Sequence, residues 1–344
     1  MYEWIFKHFI SRTDPEQAHD VVMSALETCS RLPGAAATMR ATFPRVEERL
    51  EADGFVPRMM RGKLGLAAGM DKNARAVPAF AAMGFSFVEV GTVTPRPQPG
   101  NDKPRLWRLP ESKEIRNRMG FNNEGAEVVR QRLRKLRKTK AGRSLVIGVN
   151  IGKNKTTAAD QAPQDYYRCA RELADLADFL VINVSSPNTV GLRQLQTVES
   201  LEQIVTATKQ GASEACSGKA KRVPILVKIA PDLEDDEIVN IAGLVNRLDV
   251  AGIVATNTTN QHEYGEGGVS GPRLLDRAEA VIRLLRKELD PSRTIIGVGG
   301  ISSVEDAQRL LEAGADLLEG LTAFIYQGAL WPSKINRGLR ERGY

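Results

Sequence analysis

The sequence predicts a closed (β/α)8 TIM barrel with a small N-terminal helical extension. Short apolar runs alternate with amphipathic helical patterns about eight times, roughly every 35 residues, as in a barrel of ordinary size. The turn after the first apolar run, Leu66 to Lys72, is not Gly-x-Gly-x-x-Gly, which removes the main support for an open, doubly wound dinucleotide-binding sheet. Polar residues also gather at the C-terminal ends of most strands, where a barrel places its site.

The 344 residues are 42% hydrophobic and 26% charged, enough for one large ordered domain and an accessory piece. The net charge of +6 is mild and fits anionic small molecules, an anionic membrane surface or plain solubility. Its densest part runs from Arg130 to Arg143, where Leu133 and Leu136 recur at helical spacing. That run reads as a solvated helix face; without interleaved aromatics it gives no case for nucleic acid. Cys29, Cys169 and Cys216 are far apart and, with His8, His19 and His262, make no zinc set, so the expectation is a reducing compartment and no metal. No apolar run is long enough to span a bilayer, which predicts a protein on the cytoplasmic side that touches the membrane at most peripherally.

Taken in order, Trp4, Ile5, Phe6, Phe9 and Ile10 give a short apolar surface, and Asp14-Pro15 reads as an N-cap with proline at the first helical position. Ala18, Val21, Val22, Ala25, Leu26 and Cys29 then keep helical spacing until Pro33-Gly34. Helices this small need a surface to pack on, whether protein, lipid or an apolar ligand. Residues 1–40 are therefore the extension and 41–344 the barrel, joined by a linker around Pro44 to Pro57.

The barrel strands are expected at Leu64–Ala68, Ser86–Val90, Leu145–Val149, Phe179–Ile182, Ile225–Ile229, Gly252–Ala255, Ile295–Val298 and Asp316–Leu318. Helices are expected at Asn73–Met83, Gly125–Lys138, Asp165–Ala177 and Val304–Ala313, among others. The long polar interruptions Thr94–Phe121 and Thr256–Gly271 lie on the C-terminal side and are candidate lids or pocket walls.

The strand ends carry the chemistry. The first delivers Ala67, Ala68, Gly69, Met70, Asp71 and Lys72, whose small residues let a flat ligand approach the backbone. The second gives Thr92, the third Asn150, and the fourth Asn183, Ser186 and Asn188 in an Asn-Val-Ser-Ser-Pro-Asn turn that, alone, could be only a capping turn. Lys228 sits between Val227 and Ile229, so it either projects into a ligand site or pairs with a carboxylate, the ligand role being favoured. The sixth strand ends in Thr256-Asn257-Thr258. Gly299-Gly300 and Gly320-Leu321-Thr322 then bring backbone N–H groups to adjacent strand ends, the arrangement by which such barrels hold phosphate. A phosphorylated planar cofactor follows, and FMN fits, with Lys228 placed to stabilise its reduced anion. Asn117, Asn183, Asn188, Asn257 and Thr258 match a second ligand that is a cyclic amide or imide.

Several ordered motifs resemble the quinone-dependent, class 2 dihydroorotate dehydrogenases over nearly the whole chain: Leu66 to Lys72, Glu89 to Asn101, Asn117 to Asn123, Asn150 to Lys155, Asn183 to Asn188, Val227 to Asp232 and Ala255 to Thr259. The resemblance implies oxidation of (S)-dihydroorotate to orotate in pyrimidine biosynthesis, with electrons passed through FMN to a membrane quinone. It implies that Ser186 is the base for the C5 proton. Substrate contacts carried over are Lys72, Asn117 with Arg118, Met119, Gly120 and Phe121, then Asn183, Asn188, Asn257 and Thr258. FMN contacts are Ala67 to Lys72, Thr92, Asn150, Asn183, Lys228, Thr256, Gly271, Gly300, Leu321 and Thr322. By the same resemblance His19 and Arg108 line the quinone end of an apolar tunnel; left to themselves they could be a helix-surface histidine and a salt-bridge partner. Leu321 stands where many relatives have tyrosine, and the loop from Thr259 to Gly267 is shorter than in several of them. The alternatives are another FMN barrel oxidoreductase acting on a cyclic amide or imide, or a non-catalytic phosphate-ligand binding barrel.

Overall fold

The computed structural model describes every residue except 1, 3–5, 7, 9, 33, 35–37, 39, 40, 44, 45, 47–54, 56–59, 190 and 219–221. Trp4, Ile5, Phe9, Pro33, Pro44 and Pro57 therefore lie outside the described residues, as does most of the expected linker. Among the described residues eleven strands are seen: β1 (Leu64–Leu66), β2 (Val88–Val93), β3 (Leu106–Leu109), β4 (Glu114–Asn117), β5 (Ile147–Ile151), β6 (Phe179–Asn183), β7 (Ile225–Ile229), β8 (Gly252–Ala255), β9 (Gly268–Ser270), β10 (Thr294–Val298) and β11 (Leu317–Gly320). Eight of them close a parallel barrel in the order β1-β11-β10-β8-β7-β6-β5-β2. The remaining three form a separate antiparallel sheet, β3-β4-β9.

The barrel is filled according to the two-residue period of its strands. Phe87, just before β2, and Phe179 of β6 meet edge-to-face with ring centroids 5.8 Å apart. Gly65 and Gly148 make room for them: a Cβ at Gly65 would lie 2.4 Å from the Phe87 ring and one at Gly148 2.3 Å from the Phe179 ring. Val181, Leu226, Val254, Ile296 and Leu317 complete this apolar layer. Two residues further along, the same inward positions become polar, at Glu89, Asn183, Lys228, Thr256 and Glu319. Alternation thus delivers a polar mouth above an apolar plug. At the other end Asn336, on the last helix, accepts from the Leu64 N–H (2.8 Å) and donates to the Gly84 carbonyl (2.8 Å), fastening the helix to the barrel base.

The first helix runs from Pro15 to Arg31, and Asp14 caps it by accepting from the Gln17 N–H at 2.8 Å. Phe6 is buried against Tyr326, with ring centroids 4.8 Å apart, so this part of the apolar start packs on the barrel. Arg105 donates to Glu16 at 2.6 Å, and both side chains are nearly buried, which ties the helix to the loop before β3.

Three expectations need correction. The helix expected from Asn73 starts only at Val77, because Asp71 accepts from the Arg75 and Ala76 N–H groups (2.7 and 2.8 Å) and bends the chain into a turn. The two polar interruptions contain strands: β3 and β4 pair, and β9 adds to β4. The basic run is more than a solvated face. Arg130 pairs with Asp175, Arg132 with Glu124, and Arg137 with the buried Asp178 at 2.6 Å. Arg137 also donates to the Leu176, Gly142 and Leu145 carbonyls, fastening this helix to the loops before β5 and β6.

Candidate active site

A cavity of about 490 Å³ opens over the polar end of the barrel and continues under the N-terminal helix. One end is polar, reaching Lys228, Glu319 and Ser186, and the other is apolar, reaching Ile10, Val22, Met23 and Leu26. The three-stranded sheet forms a side wall through Leu106, Ile115, Asn117 and Ser270.

Hydrogen bonds lock the strand-end side chains in place. Thr92 donates to Asn150 Oδ1 at 2.6 Å, while Asn183 Nδ2 reaches Thr92 Oγ1 at 2.9 Å and Asn150 Oδ1 at 3.1 Å. Asn150 Nδ2 donates to Glu89 Oε1 at 2.6 Å. Asn257 donates to Ser185 Oγ at 2.9 Å, and Arg193 fixes this loop by binding the Ser185 and Thr258 carbonyls and pairing with Asp232 at 2.6 Å. Ser186 is buried, its Oγ accepting from the Asn188 N–H at 3.3 Å. Asn188 Nδ2 donates across to Asn117 Oδ1 at 2.9 Å, leaving Asn188 Oδ1 buried without a partner among the described residues. Such an acceptor is costly to bury unless a ligand donates to it.

Glu89 and Glu319 flank Lys228 at 3.2 and 3.5 Å, all three buried. Both alternatives for this lysine therefore hold: it lines the cavity and it pairs with carboxylates. Burial alone would lower the Lys228 pKa, but the two glutamates reverse this and hold it above its ordinary value. Lys72 has no comparable partner among the described residues, and burial drives it down to about 8. Burial and the charge of Lys72 hold His19 below the usual histidine value; its Nε2–H donates to the Met70 carbonyl at 2.9 Å.

Backbone groups converge at the ends of β10 and β11. Gly299 (φ 134°) and Gly300 (φ 78°) hold conformations side chains rarely adopt, and a Cβ at Gly300 would meet the Leu275 backbone at 2.5 Å. The Thr322–Gln327 helix begins beside them, and the N–H groups of its first turn have no acceptor within the helix. Ser270 and Thr322 share a hydroxyl hydrogen bond of 2.8 Å at the rim.

Most of the residues expected from the sequence border this one cavity, including His19, Lys72, Arg108, Ser186 and Leu321. Two do not. Arg118 turns outward to pair with Glu266 at 2.8 Å, and the wholly buried Asn150 stands behind Thr92 and Asn183. Asp71 reaches the cavity, but its carboxylate is occupied by its own loop. Arg108 donates to the Ile10 and Thr13 carbonyls (both 2.8 Å), holding the N-terminal segment, and among the described residues it forms no ion pair. Glu89 and Glu319 are not legible as site residues in the sequence, since a lone acid in a strand names no partner.

The family model for dihydroorotate dehydrogenase matches residues 55–342. The chain belongs to the dihydroorotate dehydrogenase family. Among the relatives of this family, a dihydroorotate dehydrogenase (quinone) from Thermobifida fusca is 47% identical over 98% of this chain and 92% of its own length. One of the same description from Nocardioides is 46% identical over 98% and 97%. The solved dihydroorotate dehydrogenase of Eimeria tenella, in complex with ferulenol, superposes with a TM-score of 0.84 at 35% identity, covering 98% of this chain and 93% of that one.

Proposed function

We propose that this member of the dihydroorotate dehydrogenase family oxidises (S)-dihydroorotate to orotate and delivers the electrons through FMN to a quinone. One observation carries the assignment. A buried serine hydroxyl stands among Asn117, Asn183, Asn188 and Asn257 in a cavity that also offers a phosphate-type backbone cradle and continues into an apolar branch. The donor set suits FMN: main-chain N–H groups around Gly300 and Thr322 for the phosphate, small residues at Ala67 to Gly69 along one wall, and Lys228 at the floor. FMN supplies the hydride acceptor when bound.

The protein's own groups do the rest. Asn117, Asn183, Asn188 and Asn257 present amides that alternate donor and acceptor, the pattern a cyclic amide needs, and Lys72 supplies positive charge for an anionic substituent. Ser186 takes the C5 proton as the C6 hydride leaves. A serine accepts that proton only if its own moves on to a further acceptor. Phe121, at φ 56°, and Gly120 keep the wall beside the substrate close-fitting.

Residues 1–40 form the quinone-facing extension. Support comes from the apolar branch under the Pro15–Arg31 helix and from Val21 and Val22, which that helix leaves exposed. The proposed association is peripheral and on the cytoplasmic side; among the described residues no helix is long and apolar enough to cross a membrane. Dihydroorotate added without oxygen is expected to bleach a yellow preparation, and quinone to restore the colour. A colourless protein, or a yellow one that dihydroorotate leaves unchanged, contradicts the assignment.

A further inference from the structure

Below the cavity, Glu89, Lys228 and Glu319 form a cluster whose charges do not cancel when every group is ionised. Two buried carboxyl groups share one ammonium, and neither has another ion-pair partner among the described residues. They come from β2 and β11, the two strands flanking β1, and β1 presents only the side-chain-free Gly65 between them, so both carboxyl groups close on the one Lys228 ammonium. Two carboxylates gathered on one ammonium out of reach of water do not both ionise; one keeps a proton.

The hydrogen bonds decide which. Glu89 is held as an anion by three donors: Asn150 Nδ2 at 2.6 Å on Oε1, with the Ala68 N–H and Lys228 Nζ at 3.2 Å on Oε2. Among the described residues Glu319 receives one long contact, Lys228 at 3.5 Å on Oε2, and its Oε1 has no partner. Burial and the charge of Glu89 push the Glu319 carboxyl well above the carboxylate range, while Lys228 and the other donors outweigh burial at Glu89 and hold it below.

We propose that Glu319 is a neutral carboxylic acid and the positioning residue that leaves Lys228 paired with Glu89 alone, so that the cavity floor carries no net negative charge. With both glutamates ionised the floor would be negative and would oppose an anionic cofactor and substrate. The part of this that concerns the cofactor rests on the FMN reading above; the protonation does not.

The test is infrared difference spectroscopy on the purified holoenzyme at neutral pH. The wild type is expected to show a protonated-carboxyl carbonyl band that Glu319→Gln, a neutral mimic of the same shape, lacks. Glu89→Gln is expected to lose the same band although Glu319 is still present, because Lys228 then takes Glu319 as its only counter-ion. The potential of the bound flavin is expected to stay the same in Glu319→Gln. Identical spectra for wild type and Glu319→Gln, a band that survives in Glu89→Gln, or a flavin potential that rises when Glu319 is replaced each overturns the proposal. A protein purified without flavin would sink the cofactor reading, yet the infrared bands would still decide the state of Glu319.

Discussion

Lys72 and Lys228 border the same cavity, and their surroundings give them opposite behaviour. Lys72 is lowered to about 8 by burial, so in the free protein its charge is a cost. A lysine depressed in the folded state stabilises the fold above its unfolded value of 10.5 and loses that contribution as pH falls through about 8. An anion brought beside it restores the proton. Orotate affinity is therefore expected to be flat below about pH 8 and to fall above it, by roughly tenfold or more for a charge-assisted contact. Titration calorimetry at several pH values checks this, and Lys72→Met is expected to remove the dependence. Lys228 is already paired, so its removal strands buried negative charge: Lys228→Met is expected to cost about 3 to 5 kcal/mol, read as a lowered thermal midpoint. An unchanged midpoint would mean that the pair contributes nothing.

The N-terminal helix is held by few polar contacts, chiefly Arg105–Glu16, Arg75–Glu27 and His19 with the Met70 carbonyl. His19 lies below its ordinary value of 6.5 because of burial and the charge of Lys72. The undocked helix therefore binds a proton more readily than the docked one, and docking weakens as pH falls through that value and below. The hydrogen-exchange protection of residues 15–31, taken relative to the intrinsic amide rate at each pH, is expected to fall between about pH 7.5 and about pH 5.5 in the wild type, and to vary less in His19→Gln. The helix itself was legible in the sequence because Asp14-Pro15 and an apolar stripe mark it locally. The sheet β3-β4-β9 was not: Trp107 and Arg116 stack on each other at 3.8 Å and Glu114 pairs with Arg273, so polar residues that look like loop are held by partners distant in sequence.

At the scale of the whole molecule, the barrel was readable because its strands are apolar runs buried on both faces, which need no distant partner to be recognised. Strand ends moved by one to three residues, as at β2, which was expected to end at Val90 and reaches Val93. The site was legible where a strand end meets a short polar motif, as at Asn183 to Asn188. It was not legible where function depends on which side chain faces which, as with Arg118 turned to Glu266 or Glu319 beside Glu89. Packing makes its own prediction. Gly148→Ala drives a methyl into the Phe179 ring and is expected to cost about 1 to 3 kcal/mol, lowering the thermal midpoint while FMN, once bound, is still reduced.

The central claim is that the Ser186 hydroxyl removes the substrate proton. The most direct measurement is the rate at which dihydroorotate bleaches bound FMN in anaerobic rapid mixing, wild type against Ser186→Ala, at equal flavin content. The variant is expected to bind FMN and to bleach about 10² to 10⁴ times more slowly; equal rates would rule out Ser186 as the base.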